Sequence, residues 1–312
     1  MDYISLLQKE MRPAFGCTEP IALAYAAAKA ASVLDEFPNH IHARCSANII
    51  KNVKSVVIPN SGGRKGLAAA TVLGAIVGHP ERELEVLESA TDEDRKWLGT
   101  LLEANFCTVE LAEGVDNLYI EITATTDEHT AVVRIENAHT NITYVSVDGN
   151  VISETINEIK EAESSTCPMT FDSIYEFAKA GDISGILPSI KQQVEYNTAI
   201  SNEGLSNDYG ANIGRLLLLD DETPSLETKC KARAAAGSDA RMSGCPLPVV
   251  ICSGSGNQGL TVSMPIITTA EELGKTDEEL YRALVFANLL TLYVKSGIGK
   301  LSAYCGVVSA GI

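Results

Sequence analysis

The sequence predicts an α+β protein, a small antiparallel sheet with helices packed on it, joined to an all-helical catalytic domain. Three observations carry that reading. Between Cys107 and Val151 four runs alternate apolar and polar residues, Thr108–Leu111, Leu118–Ala124, Ala131–Glu136 and Ile142–Val147, and turn residues such as Glu113-Gly114, Thr126-Asp127 and Asp148-Gly149 separate them. Past residue 165 this alternation gives way to apolar residues at helical spacing. Between the two textures, Glu154 to Ser165 is polar and charged, as a connector would be. The expected layout is therefore residues 1–38 as N-terminal helices packing with the helical domain, 39–165 as the sheet domain and 166–312 as the helical domain.

At 312 residues, of which 45% are hydrophobic, the chain can bury a large core and form two domains. Its net charge of −17 argues against nucleic acid as a partner, since phosphate-backbone binding needs clustered cations. The first ten residues lack a basic stretch followed by an apolar one, so no signal peptide is read. Lys295 and Lys300 interrupt the most apolar stretch, Ala283 to Ile312, which reads as buried helices and not a membrane span. We therefore expect a cytoplasmic protein, whose eight cysteines serve as thiols, catalytic groups or metal ligands in place of a disulfide framework.

In chain order, residues 2–10 fit a short amphipathic helix ending near Pro13. Gly16-Cys-Thr-Glu-Pro20 then opens an alanine-rich helix from Ile21 to Leu34, with Thr18 as its cap and Pro20 in its first turn. Cys17 lies just ahead of that helix. There the dipole favours a thiolate, although a small buried thiol at a turn fits the same residues. Ile41 to Cys45, Ile49-Ile50 and Val53 to Ile58 read as strand. Pro59 to Gly66 is a glycine-rich loop before a helix from Leu67 to Val77, a candidate anion cradle that does not match a Walker A loop. Thr91 caps a helix running to Ala104. His129 and His139 fall on the sheet, where a histidine is usually exposed or hydrogen-bonded.

In the second half, helices are expected over 171–179, 188–201, 205–219, 227–235, 277–294 and from 301 onward. At its centre is Asp239 to Pro265, with Cys245, Cys252 and the run Ser253-Gly-Ser-Gly-Asn-Gln-Gly259. Small residues let backbone N–H groups approach a ligand, and a helix beginning there would favour an anion such as a carboxylate. Ser255 and Asn257 add side-chain donors; a plain turn between core segments is the competing reading. The apolar, glycine-rich stretch at 296–312 carries no cap or polar tail, so the chain is expected to be truncated at its C-terminus.

Gly16-Cys-Thr-Glu-Pro-Ile-Ala, Asn60-Ser-Gly-Gly, Asp239-Ala-Arg-Met-Ser-Gly, Gly254-Ser-Gly-Asn-Gln-Gly-Leu and Leu301-Ser-Ala-Tyr-Cys-Gly occur in that order. Together they resemble the serine dehydratase alpha-like family, most closely its L-cysteine desulfidase branch. The resemblance implies a [4Fe–4S] lyase without pyridoxal phosphate, in which three cysteines hold the cluster and one iron polarises the substrate. It implies that Cys17 removes the α-proton, that Cys305 is one cluster ligand and that the other two ligands lie beyond residue 312. It places the substrate carboxylate near the glycine loops, at Asn60, Ser61, Gly62, Ser255 and Asn257. Cys245 and Cys252, seven apart, are read as core or loop thiols.

The expected function is α,β-elimination from L-cysteine to pyruvate, ammonia and hydrogen sulfide. The alternatives are L-serine dehydration by the same chemistry and a non-catalytic ligand-binding remnant lacking the full cluster site. The partner expected is a small amino acid, with a homodimer as the assembly.

Overall fold

The computed structural model describes residues 2–155, 169–220, 222–297 and 306–311. The fold is mixed α and β, and it divides into two compact units, residues 1–14 with 160–312, and residues 15–159. The sequence placed these divisions near 38 and 165. The chain opens with α1 (Tyr3–Glu10), capped by the Asp2 carboxylate, which accepts from the N–H groups of Ile4 and Ser5, and continues into β1 (Pro13–Phe15).

The sheet unit begins with α2 (Thr18–Ser32), buried on nearly every side, as expected of a helix that is apolar all round. It continues through β2 (His40–Cys45), α3 (Ala47–Val53), α4 (Leu67–Val77), a 3₁₀ turn (Pro80–Glu85) and α5 (Asp92–Glu103). Thr91 and Asp94 close the predicted capping box on α5. Five strands follow: β3 (Cys107–Leu111), β4 (Tyr119–Thr125), β5 (Thr130–Glu136), β6 (Ile142–Val147) and β7 (Asn150–Glu154). The six strands run in the order β3-β2-β4-β5-β6-β7, all antiparallel except the parallel pair β2 and β3.

Strand register sorts the side chains into two faces. Ala43, Ile122, Val133 and Val145 form a buried row, and α2 packs over β4 and β5 while α4 contacts β2 and β3. Each fully buried isoleucine on this face, such as Ile120 and Ile122, contributes about 2 kcal/mol. The adjacent row carries Arg44, Glu121, Arg134 and Tyr144, with Glu121 accepting from both arginines at 2.8 Å.

Two expectations fail in this unit. The segment after Cys45 is helical where its β-branched residues suggested strand, because Ile49 and Val53, four apart, bury one face of α3. Strand β7 was not foreseen; it follows a two-residue turn at Asp148-Gly149, both with positive φ, and all five of its residues are exposed, which removes the alternation. His129 lies in the turn before β5, paired with Asp148 at 2.8 Å.

The helical unit adds α6 (Phe171–Ala180), α7 (Leu187–Ser206), α8 (Ile213–Leu219), α9 (Leu226–Met242), β8 (Pro248–Val250), α10 (Gly256–Glu272), α11 (Asp277–Ser296) and α12 (Gly306–Ala310). The helix expected over 205–219 is instead the end of α7, a turn and α8. Asn212, with φ of 55°, ends that turn. Helix α10 contacts α7, α9, α11, α12 and β8, so its N-terminus is held from several sides. Asn197 of α7 fixes the entry to it by accepting from the Val250 N–H at 2.9 Å and donating to Ser263 Oγ at 2.9 Å. Short β1 and β8 pair, and the Ile251 N–H reaches the Arg12 carbonyl. Among the described residues no helix is long and apolar enough to cross a membrane.

Candidate functional site

The loop that leads into α10 is a tight reversal. Cys252 and Ser255 exchange backbone hydrogen bonds at 3.1 and 3.2 Å, and between them Ser253 and Gly254 both adopt positive φ. Such a conformation is strained for serine, and Ser253 holds it while buried. Ser255 is the N-cap, its hydroxyl accepting from the Gln258 N–H at 3.4 Å. The first-turn N–H groups of a seventeen-residue helix thus converge here with the positive end of its dipole.

Three buried polar side chains meet this turn. Arg241, at the end of α9 and 2% exposed, donates to Asn257 Oδ1 at 2.9 Å. Gly256 makes that approach geometrically feasible, since a Cβ there would stand 2.3 Å from the Arg241 Nε. Gln258 is 2% exposed, and its Nε2 has no hydrogen-bond partner among the described residues. Lys295 of α11 is buried as well, and a Cβ at Gly306 would lie 1.9 Å from Gln258 Oε1 and 2.8 Å from Lys295 Nζ. A guanidinium, an ammonium, an amide N–H₂ and helix N–H groups thus gather at this buried turn, where the buried Glu10 carboxylate also acts on Cys252.

Of the residues expected here, Ser255 and Asn257 are in this constellation. Ser255 spends its hydroxyl on the cap, and Asn257 gives its amide oxygen to Arg241, which leaves the N–H₂ end as its donor. Cys305 lies outside the described residues, but its neighbour Gly306 packs directly on Gln258 and Lys295. Cys252, in the same turn, is wholly buried; burial pushes its thiol up to about 12, Glu10 adds to the rise and Lys295 offsets part of it. Burial also raises the Cys245 thiol. These two are inert core thiols, in agreement with the sequence reading.

The sheet unit holds the remaining predicted residues. Cys17, and not Thr18, occupies the N-cap of α2, with no side-chain capping bond. It is 6% exposed, and its Sγ donates to Glu19 Oε2 at 3.1 Å. The same oxygen accepts from Thr18 Oγ1 at 3.1 Å, and Glu19 Oε1 accepts from Asn52 Nδ2 at 3.2 Å. Gly16, with φ of 81°, would drive a Cβ to 2.1 Å from Pro59, so the cysteine segment abuts the Asn60–Gly62 loop.

In that second loop the polar groups are turned inward. Asn60, at φ of 55°, donates to the carbonyls of Leu87 and Glu88, and its own carbonyl accepts from Arg95. Ser61 is fully buried, with its hydroxyl on the Ile58 and Arg64 carbonyls. Gly62, Gly63 and Lys65 are the exposed residues of this loop.

The described residues contain no group of three or more His, Cys, Asp or Glu side chains placed to hold a metal ion. They therefore do not by themselves supply the thiolates of an iron–sulfur cluster. None of the six described cysteines forms a disulfide. Arg241, Gln258 and Lys295 were not singled out as site residues in the sequence, where Lys295 served only to interrupt an apolar stretch. Arg241 and Gln258 stand inside quoted motifs, but their burial at one helix end comes from the packing of α9, α10 and α11.

No solved structure matches this chain at a significant level. Curated relatives do. The chain is 47% identical over 314 residues to a UPF0597 protein of Finegoldia magna, covering 100% of this chain and 75% of that one. It is 45% identical to a UPF0597 protein of Lachnoclostridium phytofermentans, covering 98% and 74%, and 44% identical to one of Desulfitobacterium hafniense, covering 99% and 72%. The sequence profile of the serine dehydratase alpha chain matches residues 81–312, the span that contains the α10 turn, Arg241 and Lys295, and the chain therefore belongs to the serine dehydratase alpha chain family.

Proposed function

We propose that this protein is a lyase that removes hydrogen sulfide from L-cysteine by α,β-elimination. The observation that carries the reading is the buried, donor-rich end of α10, where Gln258 Nε2 has no hydrogen-bond partner among the described residues and lies beside Arg241 and Lys295. An amino acid carboxylate satisfies that donor. Asn257 and the first-turn N–H groups orient it, and Ser255 keeps the turn closed. The exposed glycines Gly62 and Gly63, with Asn60 and Ser61 holding their loop, are a second proposed contact region.

Cys17 is the proposed base. Its sulfur takes the α-proton, the C–H electron pair forms the Cα–Cβ double bond, and the β-sulfur departs as hydrosulfide. The 2-aminoacrylate left behind tautomerises and hydrolyses to pyruvate and ammonia. L-serine, losing hydroxide by the same steps, is the alternative substrate, favoured by the family's own description. The [4Fe–4S] cluster, with Cys305 as a ligand and without pyridoxal phosphate, rests on the resemblance alone; iron and sulfide analysis of anaerobically purified protein tests it. Action in the cytoplasm, as a homodimer, belongs to the same proposal.

The direct test supplies L-cysteine and L-serine separately and measures sulfide, pyruvate and ammonia. Equimolar sulfide and pyruvate from L-cysteine support the desulfidase. Pyruvate from L-serine alone moves the assignment to a dehydratase. Binding without product leaves only the ligand-binding reading. In the first case Cys17→Ala lowers kcat by about 1,000-fold.

A further inference from the structure

We infer that Glu19 is a positioning residue that shares one proton with Cys17: the proton rests on the sulfur and passes to the carboxylate when the base is required. This deepens the proposal that Cys17 is the base. Glu19 is the acidic residue in the first turn of α2, yet its side chain turns back on the residue before the helix. The Cys17 Sγ stands 3.1 Å from Oε2, the Thr18 hydroxyl fixes that same oxygen, and Asn52 of α3 fixes Oε1. A carboxylate held at both oxygens against a buried thiol is a poised acceptor and not a loose surface charge. The N-terminus of α2 favours one negative charge on the pair, while like-charge repulsion opposes two.

The neighbouring elements present different chemistry. Helix α4 contains no charged residue, and β4 and β5 turn Ile120, Ile122, Val133 and Ile135 toward the core. The 3₁₀ turn directs Glu83 at Tyr25, farther along α2. The 3.1 Å contact itself ties the ionisation of the Cys17 thiol to the charge on Glu19.

The proton count closes. Cys17–SH and Glu19–COO⁻ become Cys17–S⁻ and Glu19–COOH; the thiolate then forms a new S–H bond with the substrate's α-proton. Hydrosulfide leaves, and the proton later released by Glu19 completes hydrogen sulfide.

The first arm of the test needs no substrate. Alkylation of Cys17 by iodoacetamide is followed from pH 6 to 10 by peptide mass mapping in the wild type, Glu19→Gln and Asn52→Ala. Removing the carboxylate abolishes the repulsion, so Glu19→Gln alkylates Cys17 about tenfold faster at pH 7.5, one decade for each unit the thiol's ionisation moves. In the same variant kcat for elimination falls about 100-fold, with KM within threefold. Asn52→Ala, which loosens one carboxylate oxygen, moves alkylation the same way by about twofold, and serves if Glu19→Gln does not fold. Alkylation unchanged or slower in the folded variants overturns the inference. Altered alkylation in a protein with no lyase activity keeps the pair and removes the lyase reading; unchanged alkylation beside wild-type turnover does the reverse.

Discussion

The two glycine-rich loops look alike as sequence and differ as structure. Pro59–Gly66 and Cys252–Gly256 each turn through positive-φ residues into the N-terminus of a buried helix. In the first, Asn60 and Ser61 close their bonds on carbonyls of their own unit, which makes the loop a structural clasp. In the second, Arg241, Lys295 and Gln258 crowd the helix end, and one buried amide donor has no partner among the described residues. A loop whose polar side chains are satisfied has only its backbone left for a ligand, whereas one that buries an unmet donor carries a cost that a ligand can relieve.

Variants of the two loops should therefore separate binding from stability. The largest effect is expected at Arg241. Arg241→Ala removes a buried cation from the proposed carboxylate site and should raise KM about 100-fold, roughly 3 kcal/mol, in a pyruvate-release assay. A KM within threefold of the wild type would return this loop to a structural role. Gln258→Leu comes next: KM should rise about tenfold, while urea unfolding gains about 1 kcal/mol from loss of an unmet donor. Greater stability with unaltered KM would mean the amide serves no ligand.

Asn60→Ala is expected to do the opposite. Two lost hydrogen bonds and a left-handed backbone unsuited to alanine should lower stability by about 2 kcal/mol, with KM within threefold. A large change in KM at full stability would make the clasp a binding loop after all.

The smallest kinetic effect, none, is expected on the outer row of the sheet. Burial works to raise the Glu121 carboxyl, but hydrogen bonds from Arg134, Tyr119 and Arg44 outweigh it, and the net shift is downward. A depressed folded value gives stability that is present above the unfolded carboxylate value, about 4.3, and lost as pH falls through the folded value. Glu121→Gln should thus flatten the loss of stability below about pH 4 without altering turnover. An acid limb as steep as the wild type's would show that other carboxylates govern it.

Much of this was legible where local chemistry decides. The alternation at 118–124 and 131–136, the capping box at Thr91 and the glycine loop before α10 each follow from neighbours in sequence. What was hidden depends on packing. Ile49 and Val53 read as strand until one helical face is seen to be buried, and β7 shows no period because both its faces are exposed. At the site, Ser255 and Asn257 were visible as loop donors, but Arg241 and Lys295 come from separate helices and reach the same turn only in the folded chain. Glu19 shows the same limit: an acidic residue in a first turn reads as a dipole partner until its oxygens are found on Cys17, Thr18 and Asn52.

The contrast between the loops has one direct reading, the side-chain amide resonances of ¹⁵N-labelled protein during titration with L-cysteine, assigned through Gln258→Leu and Asn60→Ala. The account predicts that the Gln258 N–H₂ pair moves downfield as the carboxylate binds while the Asn60 pair stays in place. Movement at Asn60 with Gln258 unchanged would contradict it.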